Sequence, residues 1–103
     1  MLILLLRFSC PYAFDGVNNS IFILAEAFSE LGHRAVVLGG TRFQDIDTSN
    51  LRSVFDVDVV PEVRVIEKRR VSCLKLWLKW FKDGARIIKD YNYKRLQPGY
   101  DHS

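Results

Sequence analysis

Five consecutive residues near the amino terminus, Asp15, Gly16, Val17, Asn18 and Asn19, are of types that can meet an anion. They stand between an apolar run and an amphipathic stretch, where a strand would pass through a loop into a helix. The first turn of a helix has unpaired N–H groups and the positive end of a dipole, and phosphates bind there readily. Gly16 would let backbone approach a ligand with no Cβ in the way. Asn18 and Asn19 would offer polar side chains on the same turn, and Asp15 reads as the N-cap. A plainer reading stands beside this one. Gly16 would be an ordinary helix-start glycine, and the asparagines solvent-exposed residues of a first turn. The established phosphate signatures do not decide between them. Of G-x-G-x-x-G only Gly16 is present, and "GVNNS" lacks the Lys–Ser/Thr pair of a P-loop.

A second group is basic. From Glu62 to Leu96 there are eleven Lys and Arg against four Asp and Glu, whereas Met1 to Pro61 holds four basic residues. Lys75, Lys79, Lys82 and Arg86 share one face of a predicted helix whose neighbours include Trp77, Trp80 and Phe81. Such a face suits an anionic membrane surface or a lipid-linked acceptor; it is also what a solvated helix face looks like. Nucleic acid is not an expected partner, because no recognition module is present. Other chemistry finds little footing. Cys10 has no histidine placed to activate it. Cys10 and Cys73 show no ligand spacing, so neither zinc nor a disulfide framework is expected, and a reducing cytosol is the default compartment. His33 follows a helix cap and reads as a structural corner. No catalytic residue is assigned.

The elements that must hold these groups read as α/β. With 103 residues there is room for one domain. "LILLL" is continuously apolar and broken by Arg7; it is too short for a signal core or a membrane span and fits a strand covered on both faces, over residues 2–8. Residues 9–16 form a loop. A helix follows to about Leu31, with Val17, Ile21, Leu24, Ala25, Phe28 and Leu31 as its buried stripe, Asn18 and Asn19 outside, and Gly32 as its terminal cap. Ala35 to Leu38 is a second strand, ended by Gly39 and Gly40. "TRFQDIDTSN" is loop-like, and "LRSVFDVDVV" reads as a short helix or, slightly better, extended chain. Val63 to Glu67 is a third strand. Ser72 caps a last helix with Leu74, Trp77, Leu78, Phe81, Ala85, Ile88 and Tyr91 turned inward, Gly84 weakening it, and Pro98–Gly99 ending it. There are no internal repeats. The expected architecture is a partial Rossmann-like three-layer sandwich with a parallel sheet.

The first forty residues also resemble the opening of family 4-like glycosyltransferases of the GT-B fold. The elements carrying the resemblance are Leu2–Leu6, Pro11–Tyr12, Gly16–Val17, Leu24–Ala25–Phe28, Leu31–Gly32–His33 and Ala35–Leu38. The resemblance implies a sugar transferase using a nucleotide-sugar donor and a sugar or lipid-linked acceptor, with no other cofactor. It implies that residues 1–103 are a single, incomplete, mainly acceptor-side N-terminal domain, inactive alone. The second, donor-binding domain would come from further chain or from a partner chain. The expected location is cytoplasmic, with the inner face of the membrane as the site of any peripheral contact. Two departures stand out. Asp15 occupies the place of a second glycine, where a carboxylate would repel a diphosphate unless it caps the helix and turns away. And "PGYDHS" does not match the family's histidine segment in spacing, so no role passes to His102. A non-catalytic interaction module and a peripheral membrane protein are the rival expectations.

Overall fold

The computed structural model describes residues 1–43 and 46–95. The turn expected at Pro98–Gly99 and the residue His102 lie outside them. Element order is β1 (Leu2–Arg7), α1 (Gly16–Glu30), β2 (Arg34–Thr41), the short helix α2 (Leu51–Val54), preceded by a 3-10 turn, β3 (Glu62–Glu67) and α3 (Cys73–Arg95). The three strands are parallel in the order β1-β2-β3, with Leu2 opposite Arg34 and Val36 opposite Glu62. The expected α/β class and parallel sheet are present, with helices on both faces.

β2 is central and almost wholly buried, and its alternating side chains seed two layers. Val36 and Leu38 face α3 and pack with Leu76, Trp80 and Ile87. Ala35 and Val37 face α1 and pack with Ala25, Ile21 and Phe28. A third cluster joins α1 to the β2–β3 connection, where Phe22 stacks on Phe55 at 4.2 Å beside Leu51 and Val57. α1 and α2 therefore share one face of the sheet and α3 covers the other.

Several boundaries follow local chemistry. Asp15 caps α1, and Gly32 takes a left-handed φ of 87° just past its end. The Ser72 hydroxyl accepts from the Lys75 N–H at 3.4 Å as α3 begins. β2 runs through Gly39 and Gly40 rather than stopping at them. The segment at 51–54 is helical where extended chain was slightly favoured.

Two expected buried faces are corrected. In α1 the buried side chains are Asn18, Phe22 and Ala25, while Val17, Leu24 and Leu31 of the expected stripe are exposed. In α3 the buried line is Leu76, Trp80, Gly84 and Ile87; Leu74, Trp77, Leu78, Phe81 and Ile88 stand outside. The apolar arc of α3 is wider than one three-stranded sheet can cover. Its burial register is set where Gly84 lies against Leu4 and Trp80 against Phe8.

Candidate functional site

The parallel strands end together on one side of the molecule, and ligands of open α/β sheets bind beyond those carboxyl ends. Here that side is built around the loop from Phe8 to Asp15. Pro11 is buried against Gly39, and the Phe8 carbonyl lies where a Cβ on Gly40 would stand. Only glycines at 39 and 40 let the loop fold back so closely onto β2. The Gly40 N–H donates to the Ser9 carbonyl at 3.3 Å, and the Ala13 N–H to the Cys10 carbonyl at 3.4 Å.

Asn18 organises this loop from the first turn of α1. Its side chain is buried, and its amide nitrogen donates to the carbonyls of Cys10 at 2.9 Å and Ala13 at 2.7 Å. The expectation that Asn18 lies outside, free to touch a ligand, is thereby overturned. Its burial is dictated by two loop carbonyls that need donors, not by the helical period. Asn19 is half-buried, and its N–H donates to the Asp15 carbonyl at 3.0 Å.

Asp15 is fully engaged. One carboxylate oxygen accepts from the Asn18 N–H at 2.7 Å, and the other pairs with Arg7 at 3.1 Å. Its charge is met by a cap and a guanidinium, which resolves the conflict between a carboxylate and an anion site. Gly16 is exposed, and a Cβ there would meet nothing within 4 Å. The N–H groups of Gly16 and Val17 are the first-turn donors that Asp15 does not take up.

Across the loop, Arg42 stacks its guanidinium 5.2 Å from the Tyr12 ring centre and donates to the Ile46 carbonyl at 3.1 Å. Burial pushes the Tyr12 phenol above its ordinary value; the Arg42 charge partly opposes this and Cys10 adds to it. Arg7, Tyr12, Gly39, Gly40 and Arg42 thus belong to the site although the sequence did not single them out for it. The paired glycines at 39–40 and the arginine that breaks the first apolar run were the signals available.

The basic residues of α3 do not join this site. Lys79 forms an ion pair with Glu67, and Lys82 and Arg86 line a shallow cleft beside Val65 and Ile66 of β3. Lys75 is exposed. On the opposite flank of α3, a cleft of ≈ 470 Å³ runs beside β1, lined by Leu4, Leu6, Phe8, Trp77, Phe81 and Ile88 among others. Among the described residues no three His, Cys, Asp or Glu side chains converge as a metal site would require, and no helix is long and apolar enough to cross a membrane.

Comparison with known proteins finds no matching family model, no similar curated protein and no similar solved structure.

Proposed function

We propose that the chain is the acceptor-side N-terminal part of a sugar transferase of the GT-B type, resembling the family 4-like glycosyltransferases, and that its Phe8–Asp15 loop borders the diphosphate of a nucleotide-sugar donor. The observation that carries this reading is the strand–loop–helix unit at the end of β1. The loop is locked from behind by Asn18, Gly39 and Gly40, Asp15 is neutralised by Arg7, and the space over Gly16 is open. Such a surface favours the leaving diphosphate by preorganised donors. Topology supports the same location. α3 lies on the face opposite α1, and right-handed crossovers then carry the chain after α3 back toward β1. The carboxyl end of β1 becomes the place where strand order reverses, which is where such sheets bind ligands.

Titrating the folded chain with UDP, GDP, ADP and pyrophosphate, by calorimetry or ligand-observed NMR, tests the reading. Saturable binding is expected, and Gly16→Glu is expected to abolish it. That substitution fills open space and puts a carboxylate at a helix start, where it is tolerated. Absence of binding by all four probes to a folded protein counts against the reading. Donor hydrolysis or sugar transfer by residues 1–103 alone is not expected, and robust turnover would overturn the assignment to one half of a cleft.

A second reading, a non-catalytic interaction module, has its own observation: the exposed apolar flank of α3 next to β1.

A further inference from the structure

The two edges of the sheet are unlike. β3 carries Glu62, Arg64 and Glu67, with Glu62 paired to Arg34 and Arg64. Charges of this kind keep an edge from pairing with other chains. β1 carries Leu2, Ile3, Leu4, Leu5 and Leu6, and its outer backbone groups have no neighbouring strand.

Apolar surface continues from that edge onto both helices. On one side Leu6, Phe8, Trp77, Phe81 and Ile88 are 52, 47, 49, 65 and 46% exposed around the cleft. On the other, Val17, Leu24 and Leu31 recur along α1 beside Ile21 and Phe28, which pack in the cluster that includes Leu5 of β1. They are turned away from Phe22 and Glu26, which face the β2–β3 connection. The basic side chains Lys79, Lys82 and Arg86 lie on the β3 flank instead.

From this we infer that the β1 edge, with the flanking apolar sides of α1 and α3, is an interface that a second copy of the chain occupies. β1 pairs with its counterpart about a two-fold axis, giving one six-stranded sheet in which only the charged β3 edges are free. The interface is isologous and closes on itself. Its size fits. With aromatic side chains at about 150–250 Å² each and aliphatic ones somewhat less, the exposed fractions come to roughly 700–800 Å² per copy. A stable interface takes about 800 Å² from each partner. Its charge fits as well, because the positive excess sits on the far flank of α3 and two copies meet here without repulsion. A lipid surface fits less well. Hydrocarbon cannot satisfy the unpaired N–H and C=O groups of β1, whereas a strand can. The inference does not depend on the transferase reading, since it concerns a different face and a different readout.

The test is sedimentation equilibrium of the 103-residue chain from about 1 to about 200 µM, a range that brackets ordinary dimer affinities. A dimer of twice the 12.0 kDa chain mass is expected. Phe81→Ser and Trp77→Ser, at positions not needed for the core, should each weaken it about 30-fold or more, as loss of an aromatic anchor does. Lys82→Ser on the other flank should leave it unchanged. Far-ultraviolet circular dichroism verifies that each variant is folded, and a second folded variant, Ile88→Ser, stands in for any that is not. Flotation with mixed phosphatidylcholine–phosphatidylserine vesicles runs in parallel. A monomer throughout the range overturns the inference. So does a dimer indifferent to Phe81, Trp77 and Ile88, or a monomer whose vesicle binding those substitutions remove.

Discussion

Replacing Asn18 by alanine and by aspartate separates a residue that holds the loop from one that waits for a ligand. Its amide donates to the Cys10 carbonyl in a buried setting and to the Ala13 carbonyl in a partly buried one. In Asn18→Ala the first carbonyl is left unpaired, at a cost of about 1–3 kcal/mol, and the second exchanges a bond worth about 1 kcal/mol for water. The better helix propensity of alanine returns about half a kcal/mol. A net loss of about 2–3 kcal/mol is expected. Asn18→Asp is isosteric but turns a donor into an acceptor. It sets a buried carboxylate against two carbonyl oxygens, which costs more than an empty site. The order of stability at neutral pH should be Asn, then Ala, then Asp. An exposed first-turn residue gives the opposite order, because aspartate near a helix start is favourable by a few tenths of a kcal/mol or more. Urea unfolding at one fixed chain concentration measures the difference. With a slope of about 1–3 kcal/mol per molar for a domain of this size, the alanine midpoint should fall by about 1–2 M. An aspartate variant as stable as the parent would refute the assigned role.

Two further outcomes follow from other sites. Gly84 lies inside α3, and a Cβ there would meet only the Leu4 side chain, at 3.7 Å, an ordinary contact. Gly84→Ala should therefore stabilise the fold by about 0.5–1 kcal/mol, raising the melting temperature by a few degrees; a lower melting temperature would mean the α3–β1 contact has no such room. Tyr12 has its phenol raised, chiefly by burial. A raised value means the folded chain keeps a proton that the unfolded chain releases. The associated stability is intact below the unfolded phenol's pKa of about 10 and is lost as pH rises through the folded value. Tyr12→Phe should flatten that alkaline decline in denaturant titrations, and an unchanged slope would count against burial as its cause.

Much of the fold was legible because it rests on short-range rules. Five consecutive apolar residues in β1, the cap at Asp15, the left-handed turn at Gly32 and the alternation at Val63–Ile66 each announce an element from its own neighbourhood. The misplacements come from partners that no local pattern contains. Asn18 is buried because two carbonyls five and eight residues earlier fold back onto it, and they do so because Gly39 and Gly40 leave room for Phe8 and Pro11. The register of α3 was ambiguous in kind. Apolar residues occur at 74, 76, 77, 78, 80, 81, 85, 87 and 88, so two overlapping stripes satisfy the helical period. The contact with β1 and β2, not the period, selects one of them.

That ambiguity has a physical meaning. A helix packed on a finished sheet needs one apolar stripe, and its remaining face is polar. α3 has a stripe for β1 and β2, a basic flank toward β3, and a second apolar flank that overhangs the free edge of β1. α1 repeats the arrangement on the other face with Val17, Leu24 and Leu31. Two helices and a strand thus agree that β1 belongs inside a wider sheet. The loop that borders Gly16 leaves the end of that same strand, and Phe8 belongs both to the loop and to the apolar cleft. One wall of the candidate site is therefore built by the loop and α1. The other is supplied by whatever lies along the free edge of β1, so that covering this edge and completing the ligand site are a single structural event.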